Sequence, residues 1–378
     1  MTIRVLVDEN IPGVEHFLGP AVRVARTAGR RLQPADLAGF DALLVRSVTL
    51  VNEQLLAGSA VSFVGTATSG FDHVDRAYLA AADIEFAYAP GSNATSVVEY
   101  VLAAIAADGR MLERLLDGGG VGVVGYGQVG SRLVRCLRAM GIQCLVYDPW
   151  LDQASIEGAA ELDDVLRSDV VCLHCELTDQ LPWPSRHLVG RRELQQMRDD
   201  ALLVNASRGS VVDQRALLEA TGAAGPRVVL DVWENEPDLE PALLDRVFLG
   251  TAHIAGYSLD GKVRAARMLC ERLHTCFGLE APAPQPFLEP ADTLQVDAPL
   301  AGADLVRELV RARYDIFRDD ALLRGAMTGA GRVEARQAFD QLRRDYPPRR
   351  ELAGSTVAAD TLGEEGSALL RALDCKLA

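Results

Sequence analysis

Three side chains suited to acid–base chemistry follow three separate apolar runs of the sequence: Arg208, Glu236 and His253. A histidine can accept a hydroxyl proton near neutral pH, and a carboxylate on its other ring nitrogen fixes the tautomer. An arginine can hold a carboxylate through two hydrogen bonds or polarise a developing carbonyl. Each side chain alone also fits an ordinary role, as a surface ion pair, a solvated acid or a core histidine. Together they predict the oxidation of an alcohol beside a hydride acceptor.

The hydride acceptor is indicated by a glycine-rich turn between an apolar run and a helical pattern. Gly125, Gly127 and Gly130 form G-x-G-x-x-G, in which the first glycine allows the tight turn and the second lets a pyrophosphate approach the backbone. The third packs the helix against the strand, and the helix N-terminus attracts the pyrophosphate. Asp148 ends the next apolar run, where an acid bonds the ribose hydroxyls and repels a 2′-phosphate. The sequence therefore predicts NAD as cofactor, in preference to NADP.

Strand and helix patterns alternate around these residues, which predicts parallel βαβ units and an α/β fold. Because the carboxyl ends of parallel strands meet at one edge of a sheet, we expect Arg208, Glu236 and His253 to project from one edge. Ser47 and Thr68 follow two strands of the N-terminal part, where they either contact a ligand or only stabilise turns. The predicted strands lie near 3–7, 42–46, 62–66, 84–88, 169–174, 201–206, 227–231 and 247–252.

The C-terminal part has a different character. Residues 281–299 are rich in proline and predict a linker or an extended arm. Residues 301–350 contain eleven arginines and eight acids, a balance of +3 in a chain with a net charge of −15. We interpret this part as a small separate domain for association.

Composition excludes several classes of function. The net charge of −15 disfavours nucleic acid or a membrane surface as the main partner. No apolar run is long enough for a membrane span and no signal peptide is evident, so we expect a cytoplasmic protein. Cys172 and Cys175 flank His174, but positions three apart on a strand face opposite sides, so no metal site is predicted.

Several longer motifs resemble the D-isomer-specific 2-hydroxyacid dehydrogenases. The resemblance covers nearly the whole chain. It is sharpest towards one branch of the family, whose members oxidise a small phosphorylated 2-hydroxy acid with NAD⁺ in pyridoxal 5′-phosphate (vitamin B6) biosynthesis. The motifs that carry it are Gly125–Gly130 with Asp148, Asn205–Gly209, Asp231–Pro237, His253–Tyr257, Val7–Asn10, Val45–Thr49, Phe63–Thr68, Val98–Val101 and Tyr314–Asp320.

This resemblance implies three domains. They are a flavodoxin-like substrate domain (1–92 plus 257–280), a Rossmann-type doubly wound NAD domain (93–256) and a small α+β domain (281–378) that forms a homodimer. It also implies that Arg208, Glu236 and His253 are catalytic, with His253 as proton donor in the reductive direction. Ser47, Thr68 and Tyr257 would bind substrate. The residues that would line NAD, with the glycines, are Gln128, Val129, Asp148, Cys175, Ala206, Ser207, Arg208, Asp231 and Gly256.

One departure and some alternatives remain open. Where the family usually has a small residue and then proline after His174, this chain has Cys175 and Glu176, which leaves the cofactor contact at Cys175 open. Another D-2-hydroxyacid dehydrogenase, such as phosphoglycerate dehydrogenase, or a non-catalytic NAD-sensing scaffold are the rival functions. We also expect a tail arginine, Arg349 or Arg350, either to reach a neighbouring active site in a dimer or to serve only local ion pairs.

Overall fold

The computed structural model describes residues 2–221, 225–283, 285–296, 300–359 and 362–378. Residues 284 and 297–299 of the expected proline-rich linker lie outside this set. The strands are β1 (Ile3–Asp8), β2 (Val22–Thr27), β3 (Ala42–Val45), β4 (Phe63–Thr66), β5 (Glu85–Tyr88), β6 (Gly120–Val124), β7 (Gln143–Tyr147), β8 (Val170–Leu173), β9 (Leu202–Asn205), β10 (Arg227–Leu230), β11 (Leu249–Gly250), β12 (Leu294–Val296), β13 (Thr356–Ala359) and β14 (Lys376–Leu377).

The helices follow the same chain order, with short 3₁₀ turns at Gly29–Arg31, Pro34–Leu37, Gln153–Ser155 and Gly209–Val211. They are α1 (Val14–Leu18), α2 (Glu53–Leu56), α3 (Arg76–Ala81), α4 (Ala94–Ala107), α5 (Met111–Leu116), α6 (Gln128–Ala139), α7 (Leu162–Val165), α8 (Arg191–Gln196), α9 (Gln214–Ala220), α10 (Pro241–Leu244), α11 (Leu259–Phe277), α12 (Gly302–Arg313), α13 (Ile316–Met327), α14 (Arg332–Arg344) and α15 (Glu364–Ala372).

Residues 1–93 and 258–290 form one compact unit. Its five strands are parallel and run in the order β2-β1-β3-β4-β5, which is the flavodoxin-like order expected for the substrate domain. Strand β2 was not predicted, because this edge strand alternates apolar and charged residues and is only partly buried. The long helix α11 packs Val263, Ala266 and Leu269 into the core of this sheet.

Residues 94–257 and 291–378 form the second unit. Its main sheet is parallel, in the order β11-β10-β9-β8-β6-β7, so the strand order reverses between β6 and β8. Val- and Leu-rich strands buried on both faces suit such a sheet, which helices cover on both sides. The expected doubly wound cofactor domain is thus confirmed. The apolar segment before β6 forms two helices, α4 and α5, which are separated by residues 108–110.

The C-terminal residues of this unit build a small parallel sheet, β12-β13-β14, against which α12 and α15 pack, whereas α13 packs against β11 and α14. Helix α12 packs against α4, and Leu305, Val306 and Leu309 join the same apolar core as Tyr100 and Leu102 of α4. The sequence analysis treats 281–378 as a separate domain, whereas residues 291–378 lie in the same compact unit as the cofactor domain. Across the described ranges, no helix has the length and apolar character needed to cross a membrane.

Candidate active site

The glycine turn lies between β6 and α6, at the point where the strand order reverses, which is where ligands bind in open parallel sheets. Gly125 has φ +93°, and a Cβ there would lie 2.5 Å from the Cys175 nitrogen. A Cβ on Gly130 would lie 1.9 Å from the Gly125 oxygen, whereas a Cβ on Gly127 would meet no atom within 4 Å. The first and third glycines therefore serve the fold, and the second leaves open space.

The N-terminus of α6 is open towards that space. Gly127 is the N-cap residue, and no side chain caps the helix. Gln128 begins the helix and is exposed, while Val129 is half-buried. Such a terminus presents free N–H groups and the positive end of the helix dipole, so this turn fits a pyrophosphate.

Asp148 follows β7 and is held beside the glycine turn. Its Oδ2 accepts a hydrogen bond from the Tyr126 N–H at 2.8 Å, and its Oδ1 accepts one from the Trp150 N–H at 3.1 Å. These bonds fix the carboxylate at the rim of a cavity of about 560 Å³ that Gly125, Gly127 and Cys175 also line. A cavity of this size lies within the range of about 300–1,000 Å³ that is typical of ligand sites.

The loop after β8 forms another wall of this cavity. Burial raises the pKa of the Cys175 thiol to about 12, so Cys175 presents a neutral surface. Burial also lowers the pKa of His174 to about 4, and both its ring nitrogens are buried without a hydrogen-bond partner among the described residues. Glu176, the departure from the family pattern, lines the cavity but is exposed to solvent. His174 and Cys175 are therefore neutral where they line this wall.

His253 and Glu236 form a hydrogen-bonded pair. His253 Nδ1 lies 2.7 Å from Glu236 Oε2, and Glu236 Oε1 accepts the Trp233 N–H at 2.8 Å. Burial alone would raise the pKa of Glu236, but His253, the Trp233 N–H and Arg343 outweigh burial and lower it. A charged Glu236 therefore holds Nδ1, which leaves Nε2 as the ring nitrogen for a substrate hydroxyl. Two of the predicted catalytic side chains thus meet.

The turn that carries His253 is fixed by Asp231. Asp231 Oδ1 accepts hydrogen bonds from the Thr251 hydroxyl and the Ile254 N–H, both at 2.7 Å, and Oδ2 accepts the Ala255 N–H at 2.9 Å. His253 itself has φ +55°, a left-handed conformation that a non-glycine residue adopts only under constraint. The buried Asp231 carboxylate supplies that constraint, in addition to its predicted place near NAD.

Arg208 follows β9 on a loop that packs against the loop after β10. Asn205 shapes this loop, since its Nδ2 donates to the Arg208 oxygen at 3.0 Å and its Oδ1 accepts from the Ser207 N–H at 3.1 Å. Gly209 lets the loops touch, because a Cβ there would lie 2.0 Å from the Trp233 carbonyl carbon. The loops of Arg208 and Glu236 are therefore in backbone contact. Ala206 is half-buried and Ser207 buried on the same loop.

The predicted substrate residues are divided between the units. Tyr257 lies in the second unit, on the turn of residues 251–257 that carries His253, which we call the catalytic turn, whereas Ser47 and Thr68 follow β3 and β4 of the first unit. Ser47 is exposed, and Thr68 is bonded within its own loop, with its hydroxyl donating to the Gly70 oxygen at 2.6 Å. A substrate role for Ser47 and Thr68 stays a prediction.

The C-terminal residues support the catalytic turn through a contact that was not predicted from the sequence. Arg349 is buried, and its Nε donates to the Tyr257 oxygen at 3.1 Å while its Nη2 donates to the Ala255 oxygen at 3.0 Å and to the Ser96 hydroxyl. Arg349 is therefore not the arginine that reaches a neighbouring chain, because its Nε and Nη2 bond to groups of its own chain, whereas the same role for Arg350 stays a prediction. No local sequence pattern predicts this contact, because Arg349 and Ser96 are 253 positions apart in the chain.

Comparison with known proteins agrees with this geometry. A family model described as "D-isomer specific 2-hydroxyacid dehydrogenase, NAD binding domain" matches residues 96–255, and a domain of unknown function matches residues 288–373. The erythronate-4-phosphate dehydrogenase of Teredinibacter turnerae is 40% identical over 98% of this chain and 99% of its own length. Those of Cellvibrio japonicus and Salinibacter ruber are 42% and 44% identical, over 96% and 100% of this chain and 96% and 99% of their own.

Solved structures share the fold. The D-lactate dehydrogenase of Aquifex aeolicus, complexed with NAD and lactic acid, aligns with a TM-score of 0.58 at 23% identity, over 72% of this chain and 96% of its own. The NAD⁺-bound 3-phosphoglycerate dehydrogenase of Entamoeba histolytica aligns with a TM-score of 0.61 at 19% identity, over 74% of this chain and 96% of its own.

Proposed function

The chain belongs to the family of erythronate-4-phosphate dehydrogenases, within the D-isomer-specific 2-hydroxyacid dehydrogenases, and we propose that it oxidises 4-phospho-D-erythronate to 2-oxo-3-hydroxy-4-phosphobutanoate in pyridoxal 5′-phosphate biosynthesis. It is an NAD-dependent oxidoreductase. The observation that carries the substrate assignment is the identity of about 40% with these dehydrogenases over almost the whole chain, C-terminal residues included.

In the proposed mechanism the residues divide the work. When bound, NAD⁺ would supply the acceptor for the hydride that leaves C2 of the substrate. His253 accepts the C2 hydroxyl proton at Nε2, because Nδ1 is held by Glu236. The negative Glu236 then stabilises the imidazolium that forms. Arg208 holds the substrate carboxylate through its planar guanidinium, which orients C2 relative to His253.

The cofactor contacts are proposed from the turn and the cavity already described. The N–H groups at the start of α6 would bind the pyrophosphate, and Asp148 would accept hydrogen bonds from the adenosine ribose. Gly125 and Gly130 shape this turn, and Gln128, Val129, Cys175, Ala206, Ser207, Arg208, Asp231 and Gly256 are the remaining proposed neighbours of NAD.

A substrate panel tests the proposal. NADH formation should be fastest, as kcat/KM, with 4-phospho-D-erythronate, and slower with D-3-phosphoglycerate, D-glycerate and D-lactate. A preference for D-3-phosphoglycerate would favour the rival assignment to phosphoglycerate dehydrogenase. NADH binding without turnover of any 2-hydroxy acid would favour a sensing scaffold.

We also propose that the C-terminal residues form a homodimer. Phe317, Leu322 and Val333 of α13 and α14 are large apolar side chains that are 53%, 45% and 62% exposed, which supports an association surface there. Phe317→Glu together with Val333→Glu should yield a monomer in light scattering, and an unchanged dimer would contradict this surface. Substitutions suit this test better than truncation, because truncation removes Arg349.

A further inference from the structure

The proposed substrate carries more negative charge than the described catalytic residues neutralise. A carboxylate and a phosphate together bring roughly −2.5 to −3 at neutral pH. On the catalytic loops of the second unit, Arg208 supplies positive charge, but Glu236 and Asp231 are acidic side chains. Under the proposed function, a further cation is required near these loops.

Arg343, in the last turn of α14, lies beside the catalytic turn. Its guanidinium carbon is 6.0 Å from the centroid of the Tyr257 ring, and its side chain is hydrogen-bonded to Tyr257. Burial alone would lower the pKa of Arg343, but Tyr257 and Glu236 outweigh burial and raise it, so Arg343 is a cation at every working pH. A permanent positive charge thus lies next to the residue that is expected to bind substrate.

The environment of Arg343 differs from that of the other arginines on α14. Arg332 and Arg336 pair with Asp238 at 3.2 and 3.6 Å, and Arg344 lies 3.5 Å from Asp345. Within the described ranges, Arg343 has no carboxylate within 4.0 Å, and its Nε is buried without a hydrogen-bond partner. Phe339, one turn earlier and fully buried, packs beside the guanidinium, with its ring centroid 6.0 Å away.

A buried donor without a partner is costly, and a bound anion would supply the missing acceptor for Arg343 Nε. Two arginines of the C-terminal part converge on Tyr257, since Arg349 holds its main-chain oxygen while Arg343 contacts its side chain. The first fixes the position of the backbone. The second places a planar fork of donors at the ring, which suits a phosphate group.

We propose that Arg343, together with Tyr257, binds the phosphate of the substrate in the active site of its own chain. Arg208 then serves the carboxylate end, and Arg343 distinguishes phosphorylated from unphosphorylated 2-hydroxy acids. This inference rests on the proposed function, and it assigns the phosphate selectivity to a residue of the C-terminal part.

The experiment compares wild type, Arg343→Gln and a matched control, Arg344→Gln, which removes a neighbouring exposed arginine. Three constants are measured: the KM for 4-phospho-D-erythronate, and the inhibition constants of inorganic phosphate and of D-erythronate, both competing with that substrate. Arg343→Gln should raise the KM for 4-phospho-D-erythronate and the inhibition constant of phosphate by about tenfold or more, as expected for a lost charged hydrogen bond. It should change the D-erythronate constant by less than about twofold, and Arg344→Gln should change none.

Equal rises in all three constants would overturn the proposal, because the loss of a purely structural arginine would weaken the binding of every ligand alike. No rise in the phosphate constant would overturn it as well. An Arg343→Lys variant keeps a cation but lacks the planar guanidinium, so its inhibition constant for phosphate should lie between those of wild type and Arg343→Gln. This variant tests the proposal if Arg343→Gln does not fold. Failure of the proposed function looks different: wild type itself would then not oxidise 4-phospho-D-erythronate.

Discussion

Replacing either of two glycines in the glycine turn by alanine tests ligand binding and folding separately. In Gly127→Ala the added Cβ meets no protein atom within 4 Å, and the backbone φ of −76° suits alanine. The free energy of unfolding should therefore stay unchanged or rise by about 0.4–1 kcal/mol. The new methyl group instead occupies the open side of the turn, where we place the pyrophosphate.

The expected loss of NADH affinity follows from the bonds at stake. Displacing the pyrophosphate from the start of α6 loses one or two hydrogen bonds to a charged group, each worth about 1.5–3 kcal/mol. Since about 1.4 kcal/mol is tenfold in an equilibrium constant, NADH should bind at least about tenfold more weakly to Gly127→Ala. Fluorescence titration with NADH measures this change, and thermal unfolding of the ligand-free protein measures stability.

Gly130→Ala is the control, because its Cβ would lie 1.9 Å from the Gly125 oxygen. Overpacking against backbone costs about 1–3 kcal/mol or more, of which better helix propensity returns about 1 kcal/mol at most. This variant should unfold at a lower temperature, whereas Gly127→Ala should not. If Gly127→Ala binds NADH as wild type does, or if both variants lose the same stability, the assignment of the two glycines is refuted.

Five single substitutions test the remaining assignments. Asp148→Ala should weaken NADH binding and reduce the preference over NADPH, and a wild type that binds both equally would refute the role of Asp148. His253→Ala should lose about 10²–10⁴ in kcat while NADH binding persists, and Glu236→Gln should cost less. Arg349→Lys should lower kcat with little change in NADH affinity, because it loosens the carbonyls of residues 255 and 257; unchanged kcat would contradict this. Burial raises the pKa of Glu99 from 4.5 to about 7, against the opposing effect of Arg349, so the folded state binds that proton more tightly than the unfolded chain. The free energy of unfolding should then fall as the pH rises from 4.5 to 7, by at most about 1.4 kcal/mol per pH unit. Glu99→Gln should abolish this pH dependence in denaturant titrations.

The parts of the site that the sequence predicts are those built by neighbours in the chain. The three glycines and the acid at the end of the next strand follow one βαβ unit, so their spacing carries the information. Glu236 and His253 are far apart in the chain, but each follows a strand, and parallel strands bring their carboxyl ends to one edge. Their pairing was therefore predictable, although the 2.7 Å contact was not.

What the sequence does not predict depends on contacts between distant segments. Strand β2 has too few buried positions for its pattern to stand out, and only pairing with β1 makes it a strand. Glu99 on α4 is another example, since its Oε1 accepts the N–H groups of Leu352 and Ala353 at 2.6 and 3.0 Å. A buried acid in an apolar helix gives no hint of which distant main chain it holds.

The catalytic turn shows why the C-terminal residues belong to the same unit as the cofactor domain. From one side, Asp231 binds the N–H groups of residues 254 and 255; from the other, Arg349 binds the carbonyl oxygens of residues 255 and 257. Each residue forms hydrogen bonds with main-chain groups of the turn that would otherwise be buried without a partner. Together the two residues hold His253 in its left-handed conformation. A chain without its C-terminal part would keep the glycine turn, Glu236 and Asp231 but lose half of this support. The C-terminal part therefore supports the turn of the proposed catalytic residue His253 in its own chain, whatever it contributes to association.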